Sequence, residues 1–556
     1  MNSLLLFKFE VKLTYVIFFV ILLVGITSAF YLLYNNKYSL LYYGDTVSHL
    51  VTARYFVDSP GFFEHIIHTS WLPLPHFLLL PPSVINSFYS TGLAGLIVSL
   101  PSLAVTSVFL YKIVWTLTDD QYIAIFGALT YPFNPNILYL GLIPMTEAPF
   151  MLFFVAAAYF FLKYYWITPS PFTLGNYIKI SNKSFDCHYG KLVNLAICSA
   201  FVVLASLCRY EAWFIPIFLI IFVIIAVQEK ELNRKYKALS IFSAFMSLSG
   251  IILWLALNAY FYNNPLHFNI DPFLSTAAQA GKEGKELYLQ PLNVLYVYGT
   301  AAISVYGPIL IPSSITGYFI IFHRYYHRIK GNSKIILMNS IFIFLSLPPI
   351  FLAISMVLGI GVMNLSSWFN SRYLTVLCPI MILPVCILLG EAKKKFHEMD
   401  NVHVNRAIGL LILFLFISQF FIPGFGIIPT FLDAQDQFYS KTRSAIKAGD
   451  VLRSFYDSDS TVLMITGGFQ QSRIMHSSGV NLNHFVNIYD DNIQKESFER
   501  ESFKTPWAHA KYIIIGKEPD ANAIKVVSYW LDKQNDLNRH YNIEYDDIYY
   551  RVLVHK

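Results

Sequence analysis

Charge is what this chain of 556 residues has least of. Only 13% of its residues are Asp, Glu, Lys or Arg, against roughly 25% in soluble domains. So few charges cannot cover the surface of a 63.7 kDa soluble protein, and the scarcity excludes soluble, disordered and collagen-like classes. No strong excess of one sign exists either. The 40 basic and 34 acidic residues leave a net charge of +6, too balanced to suggest nucleic acid as a partner. Cysteine is sparse: there are five, and none falls after residue 386. With no CxxC or Cys/His spacing, the sequence offers neither a disulfide framework for its C-terminal region nor structural zinc. An internal repeat is also missing, which argues against transporters built from inverted halves.

What the chain has in abundance is apolar length: 55% hydrophobic, 17% aromatic, mean hydropathy +0.50. A spanning helix needs about 20 mostly apolar residues. Eleven stretches qualify, near 12–34, 91–116, 121–140, 147–165, 192–208, 212–227, 238–262, 292–322, 335–358, 372–390 and 407–423. The third is interrupted by Pro132, Asn134 and Pro135. The first is too long for a secretory signal and has no clean cleavage site, so it reads as a permanent helix. With the N-terminus cytoplasmic, the inner segments hold 19 Lys and Arg and the outer loops 6. That asymmetry sets the orientation, and an odd number of spans places the C-terminus outside.

The predicted architecture is a polytopic α-helical membrane domain, residues 1–425, with a long first outer loop at 35–90. After the Pro423-Gly424-Phe425-Gly426 linker comes a small extracytoplasmic α/β domain, residues 430–556. Its strands are expected at Thr461–Ile465 and Tyr512–Ile515, a helix at Ala523–Leu531, and a terminal hairpin at Ile543–Val554.

Ionisable groups at membrane depth are costly and mark function. Here they gather at the outer helix ends: Asp45 and His49, Glu147, Arg209 and Glu211, and Arg372. Asp45 and His49 share one face of a helix at i and i+4, and the apolar residues of that helix suggest that it lies along the membrane surface. Trp71 and His76 follow in the rigid segment Trp71-Leu72-Pro73-Leu74-Pro75-His76. Each residue has a structural explanation. Asp45 would cap a helix, Thr146 would cap the helix that Glu147 opens, Arg209 and Glu211 would form a salt-bridged turn, Trp71 would be an interfacial anchor, and Arg372 would snorkel. Together, opposed carboxylates and arginines on one side of a helical bundle suit an anionic lipid-linked substrate and a proton acceptor.

These residues are where the chain resembles the GT-C superfamily of glycosyltransferases that use polyprenyl-phosphate sugars. It is most similar to the branch of protein O-mannosyltransferases and aminoarabinose transferases. Asp45 in Gly44–Arg54, the run from Trp71 to His76, Thr146-Glu147, Arg209-Tyr210-Glu211 and Arg372-Tyr373 carry the resemblance, over about residues 1–425. The Trp-Trp-Asp-Tyr-Gly signature of oligosaccharyltransferases is absent, which argues against transfer of a whole oligosaccharide to asparagine. The first loop has Asp45 alone rather than an adjacent acidic pair, so a divalent cation, Mg or Mn, is an open question rather than a requirement.

The resemblance implies an inverting transferase that moves a sugar, mannose-like by family, from polyprenyl or dolichyl phosphate to an acceptor hydroxyl on a glycan, lipid or protein outside the membrane. In that reading Asp45 is the catalytic base, and Glu147 positions the acceptor or assists the base. Arg372, Arg209 and His49 hold the donor phosphate, with Glu211, Trp71, His76 and Tyr373 as site support. The prokaryotic look of the first loop points to a plasma membrane. A transporter or flippase for an anionic lipid-linked substrate is the alternative, and an inert scaffold a third. The outer segment 263–291, with its Gly281–Glu286 run, reads either as a connector or as a lid over the site.

Overall fold

The computed structural model describes residues 2–59, 70–166, 183–228, 233–270, 287–326, 333–359, 363, 370–397, 402–439, 442–466, 469–487, 505–517 and 534–556. The Gly281–Glu286 run and the expected Ala523–Leu531 helix lie outside the described residues.

Among the described residues, six helices are long and apolar enough to cross a membrane: Lys12–Asn35, Leu93–Thr118, Glu147–Tyr165, Tyr189–Ser206, Ser340–Val357 and Ser371–Lys395. The number rises to eight if each of two bent pairs is one span. Three shorter apolar helices, Gln121–Thr130, Tyr210–Ala226 and Arg406–Ser418, occupy other expected segments. The chain is a membrane protein, and its full count of crossings stays an expectation.

Three expected spans take a different form, the 238–262 stretch being Arg234–Met246 and Ser249–Tyr262, bent by 44°. The 121–140 stretch is two helices, Gln121–Thr130 and Pro135–Leu140, because Pro135 starts a new helix that Asn134 caps through the Asn136 N–H. The 292–322 stretch is Pro291–Tyr306 and Leu310–His323, bent by 112°. The bend falls on Gly307, with φ +87, where an added Cβ would lie 2.9 Å from the Ser418 carbonyl oxygen. A left-handed conformation and a close backbone neighbour together require glycine there.

The membrane part has one large core, to which the stacked Phe150, Phe154, Phe161 and Phe344 contribute. The C-terminal part carries a five-stranded sheet in the order β2-β1-β3-β5-β4. Here β1 is Val462–Ile465, β2 Phe485–Asn487, β3 Tyr512–Gly516, β4 Tyr541–Asp546 and β5 Tyr550–His555. The first three strands are parallel, and β5 and β4 add antiparallel. The expected strands and terminal hairpin are therefore present.

The Gly44–Asp58 helix lies deeper than expected. Residues 44–53 are all buried. Val47, Leu50 and Val51 share a core with Leu452, Ile474 and Met475 of the C-terminal part. The apolar face that suggested a membrane surface is covered by protein, which holds Asp45 under a lid of packed side chains.

Candidate active site

Asp45 occupies the first turn of the Gly44–Asp58 helix, whose N-cap position, Tyr43, makes no side-chain cap bond. The Asp45 carboxylate accepts instead from Arg372 Nη2 in a buried ion pair. Arg372 comes from the 3₁₀ turn Ser371–Leu377 that opens the Cys378–His397 helix. Its Nε lies 3.7 Å from Glu147 Oε1. Glu147 in turn accepts from Arg209 Nη1 at 2.8 Å, and the same guanidinium donates to Thr146 Oγ1 at 2.8 Å. Arg209 Nε and Nη2 reach Glu211 Oε1 at 2.9 and 2.6 Å. The salt-bridged turn is thus present, and it extends into a chain of alternating charge, Asp45–Arg372–Glu147–Arg209–Glu211.

The aromatic rings frame this chain. Tyr373 sits beneath both guanidiniums, at 5.0 Å from Arg209 and 5.3 Å from Arg372, while Tyr43 lies 5.1 Å from Arg372. These are cation–π distances. Beside them, His49 Nδ1 meets His76 Nε2 at 2.9 Å, and the Trp71 ring centroid is 4.3 Å from that of His49. Burial, with Arg372 and Arg209 nearby, lowers the His49 pKa to about 3. Burial and His49 push His76 well down too. Both rings are neutral at physiological pH.

The turn that presents Glu147 is gripped from behind. Ser99 Oγ donates to the Ile143 carbonyl at 2.7 Å. A Cβ on Gly95 would come within 2.1 Å of the Pro144 nitrogen, so only glycine lets the Leu93–Thr118 helix pass this close.

All nine residues singled out from the sequence meet in this one region. Several polar atoms there are buried without a hydrogen-bond partner: Glu147 Oε2, Arg372 Nε and His76 Nδ1. Such atoms are costly in a resting protein and cheap where a ligand or water will meet them. Three carboxylates face two guanidiniums, so the chain carries one excess negative charge. An arriving anion therefore competes with carboxylates for arginine rather than joining a free cationic pocket. Among the described residues, no group of three or more His, Cys, Asp or Glu side chains is placed to hold a metal ion. Asp45 faces an arginine.

Solved structures with a similar fold include ArnT and an oligosaccharyltransferase. ArnT from Cupriavidus metallidurans in the apo state aligns over 100% of this chain and 98% of its own, at 11% identity and TM-score 0.55. The chain has the GT-C fold. ArnT bound to undecaprenyl phosphate aligns over 98% and 97%, at 9% identity and TM-score 0.52. The apo oligosaccharyltransferase of Archaeoglobus fulgidus aligns over 92% of this chain and 71% of its own, at 12% identity and TM-score 0.50. The match to ArnT runs through the C-terminal part as well, beyond the 1–425 over which the sequence resemblance extends. No protein-family model matches the sequence, and no curated protein matches it.

Sequence reasoning missed three residues around this site. Tyr43 contacts Arg372 from above. Asp433, in the Pro429–Tyr439 helix, binds the Tyr43 hydroxyl. Arg473, in the Phe469–Ser478 helix, donates to the Leu41 and Tyr42 carbonyls at 2.7 and 2.6 Å. Burial lowers its pKa to about 9. Nothing local marked these positions, because their partners lie about 390 to 430 residues away in sequence.

Proposed function

We propose that the chain is a glycosyltransferase that moves a single sugar from a polyprenyl or dolichyl phosphate to an acceptor hydroxyl at the outer face of a plasma membrane. The observation that carries this reading is the buried Asp45–Arg372–Glu147–Arg209–Glu211 chain, with Glu147 Oε2 and Arg372 Nε lacking hydrogen-bond partners. It supplies paired acid/base groups and phosphate-binding guanidiniums in one place. The GT-C fold gives the chain an architecture shared with ArnT, solved with undecaprenyl phosphate bound.

In this mechanism the donor phosphate takes Arg372 and Arg209 as its cations. Drawing Arg372 toward phosphate loosens its hold on Asp45 and frees that carboxylate to face the acceptor hydroxyl. Asp45 removes the acceptor O–H proton as that oxygen attacks the anomeric carbon. The bond from the anomeric carbon to the phosphate oxygen breaks, and its electron pair leaves on the lipid phosphate beside the arginines. Attack opposite the leaving group inverts the anomeric centre. Base assistance of this kind is worth roughly 10²–10⁴-fold, and fixed cations on the leaving phosphate add to it. His49, being neutral, serves the phosphate as a hydrogen-bond donor rather than as a charge. Mannose, carried to a glycan, lipid or protein hydroxyl, is the family-based expectation.

A transporter or flippase would need its charges near mid-membrane, whereas these gather at helix ends. The test is incubation of membranes containing the protein with radiolabelled undecaprenyl-phosphate mannose, glucose and pentose in turn. Label appearing in a new glycoconjugate from one donor is the expected result. Label that crosses the bilayer still attached to its lipid would favour the transporter.

A further inference from the structure

The Pro429–Tyr439 helix contributes nothing to the charge chain, yet it touches both segments that carry the Asp45–Arg372 pair. Asp433 is one point of contact, 3% exposed, and it shares the single Tyr43 hydroxyl proton with the Thr430 carbonyl of the same helix, 2.7 Å away. Its Oδ2 accepts from the Tyr43 hydroxyl at 3.0 Å and from the Asn370 backbone N–H at 3.0 Å. Its Oδ1 accepts from Gln437 Nε2 at 3.1 Å, and Gln437 Oε1 accepts from the Gly44 N–H at 3.2 Å. Tyr43 precedes Asp45 by two residues, and Asn370 precedes Arg372 by two. Asn370 also holds a left-handed backbone, φ 59, a conformation that persists where surrounding contacts fix it. One oxygen therefore ties together the two chain segments whose side chains form the ion pair.

This carboxylate is expensive to keep. No cation among the described residues forms an ion pair with it. Burial raises its pKa to about 6, against the opposing pull of Arg372 and the bonds from Tyr43, Gln437 and Asn370. A residue kept only for folding would be better replaced by a neutral one.

We propose that Asp433 is a positioning residue for transfer: its bonds to Tyr43, Asn370 and Gln437 set the start of the Asp45 helix and the Arg372 turn in register. The proposal rests on the transferase reading, in which Arg372 meets the donor phosphate and Asp45 the acceptor proton. Neither group can be displaced without loss, since a misplacement of about 1 Å can cost roughly 100-fold in rate.

Two variants test this. Asp433→Ala removes every bond that the carboxylate makes and leaves Tyr43 only the Thr430 carbonyl. Asp433→Asn keeps an acceptor for Tyr43 and Asn370 but turns an NH₂ toward the Gln437 NH₂. A flip of the Gln437 amide relieves that clash and strands the Gly44 N–H beside Asp45. With purified protein in detergent and the undecaprenyl-phosphate sugar that wild type uses, Asp433→Ala should lower kcat by about 100-fold, with a smaller change in KM. Asp433→Asn should lower kcat by about tenfold while its melting temperature stays level or rises, because the buried charge is gone. Loss of activity that merely tracks loss of folded protein, or an unchanged kcat in both variants, overturns the proposal. Should wild type transfer no sugar, the transferase reading has failed, and amide hydrogen exchange decides the positioning claim separately. Faster exchange of both 44–58 and 370–377 in the Asp433 variants supports it; faster exchange confined to 429–439 refutes it.

Discussion

Arg372→Leu removes the cation on which two buried carboxylates depend. The side chains of Arg372 and Asp45 are 8% and 10% exposed, and that of Glu147 is 3% exposed. Breaking a buried pair from one side typically costs about 3–5 kcal/mol, because the remaining charge is left without compensation. Asp45→Asn is the milder break: Arg372 keeps Glu147 at 3.7 Å and its two aromatic neighbours, so the loss should be about 1 kcal/mol, the worth of an ordinary hydrogen bond. The double variant should be more stable than Arg372→Leu alone, since the stranded carboxylate is gone, giving a coupling of about 1–3 kcal/mol. Thermal unfolding of the four proteins in one detergent reads this out as an order of melting temperatures: wild type, Asp45→Asn, the double variant, then Arg372→Leu. Additive effects, or an Arg372→Leu protein as stable as wild type, would refute a desolvated pair.

Gly95→Ala should destabilise strongly and abolish transfer, because the new methyl meets the Pro144 backbone rather than a flexible side chain; wild-type melting and activity would show that the Leu93–Thr118 helix is free to move away. Acid should weaken the fold below about pH 6.5. His49 and His476 have folded pKa values depressed to about 3 and about 4, so the unfolded chain takes up protons that the folded one refuses, and stability present above pH 6.5 is lost as pH falls. Asp433, with its pKa raised to about 6, acts in the opposite sense: its contribution is full below about pH 4 and is lost as pH rises through about 6. His476→Gln should therefore flatten the acid side of a melting-temperature profile; an unaltered profile would count against a neutral His476. A reporter fused after Lys556 should read as exterior and one inserted near Lys394 as cytoplasmic, and equal signals at the two places would break the odd-span topology.

Much of the site was legible because cost marks it. Asp45, Glu147, Arg209 and Arg372 stand out in apolar surroundings, and a shared helix end is readable from the spacing of apolar runs. What could not be read was which partner each would take. The Asp45 cap and the Asp45–Arg372 pair fit the sequence equally well, since 327 residues separate the pair. The break at Asn134-Pro135 was visible as a local rule, whereas the 112° bend at Gly307 needs the Ser418 carbonyl against it, a tertiary fact. The Gly44–Asp58 helix misled for a related reason: an apolar face states that something covers it, without saying whether lipid or protein does. Asp433 and Arg473 were invisible because each looks solvated in its own helix and is buried only by docking on the first outer loop.

The central claim is that Asp45 takes the acceptor proton while the arginines hold the donor phosphate. Single-turnover transfer from labelled undecaprenyl-phosphate sugar, measured for wild type and Asp45→Asn at saturating donor, tests it most directly. Asp45→Asn should still bind the donor and transfer at least about 100-fold more slowly. A variant that keeps more than about a tenth of the wild-type rate, above the floor of that range, would contradict it.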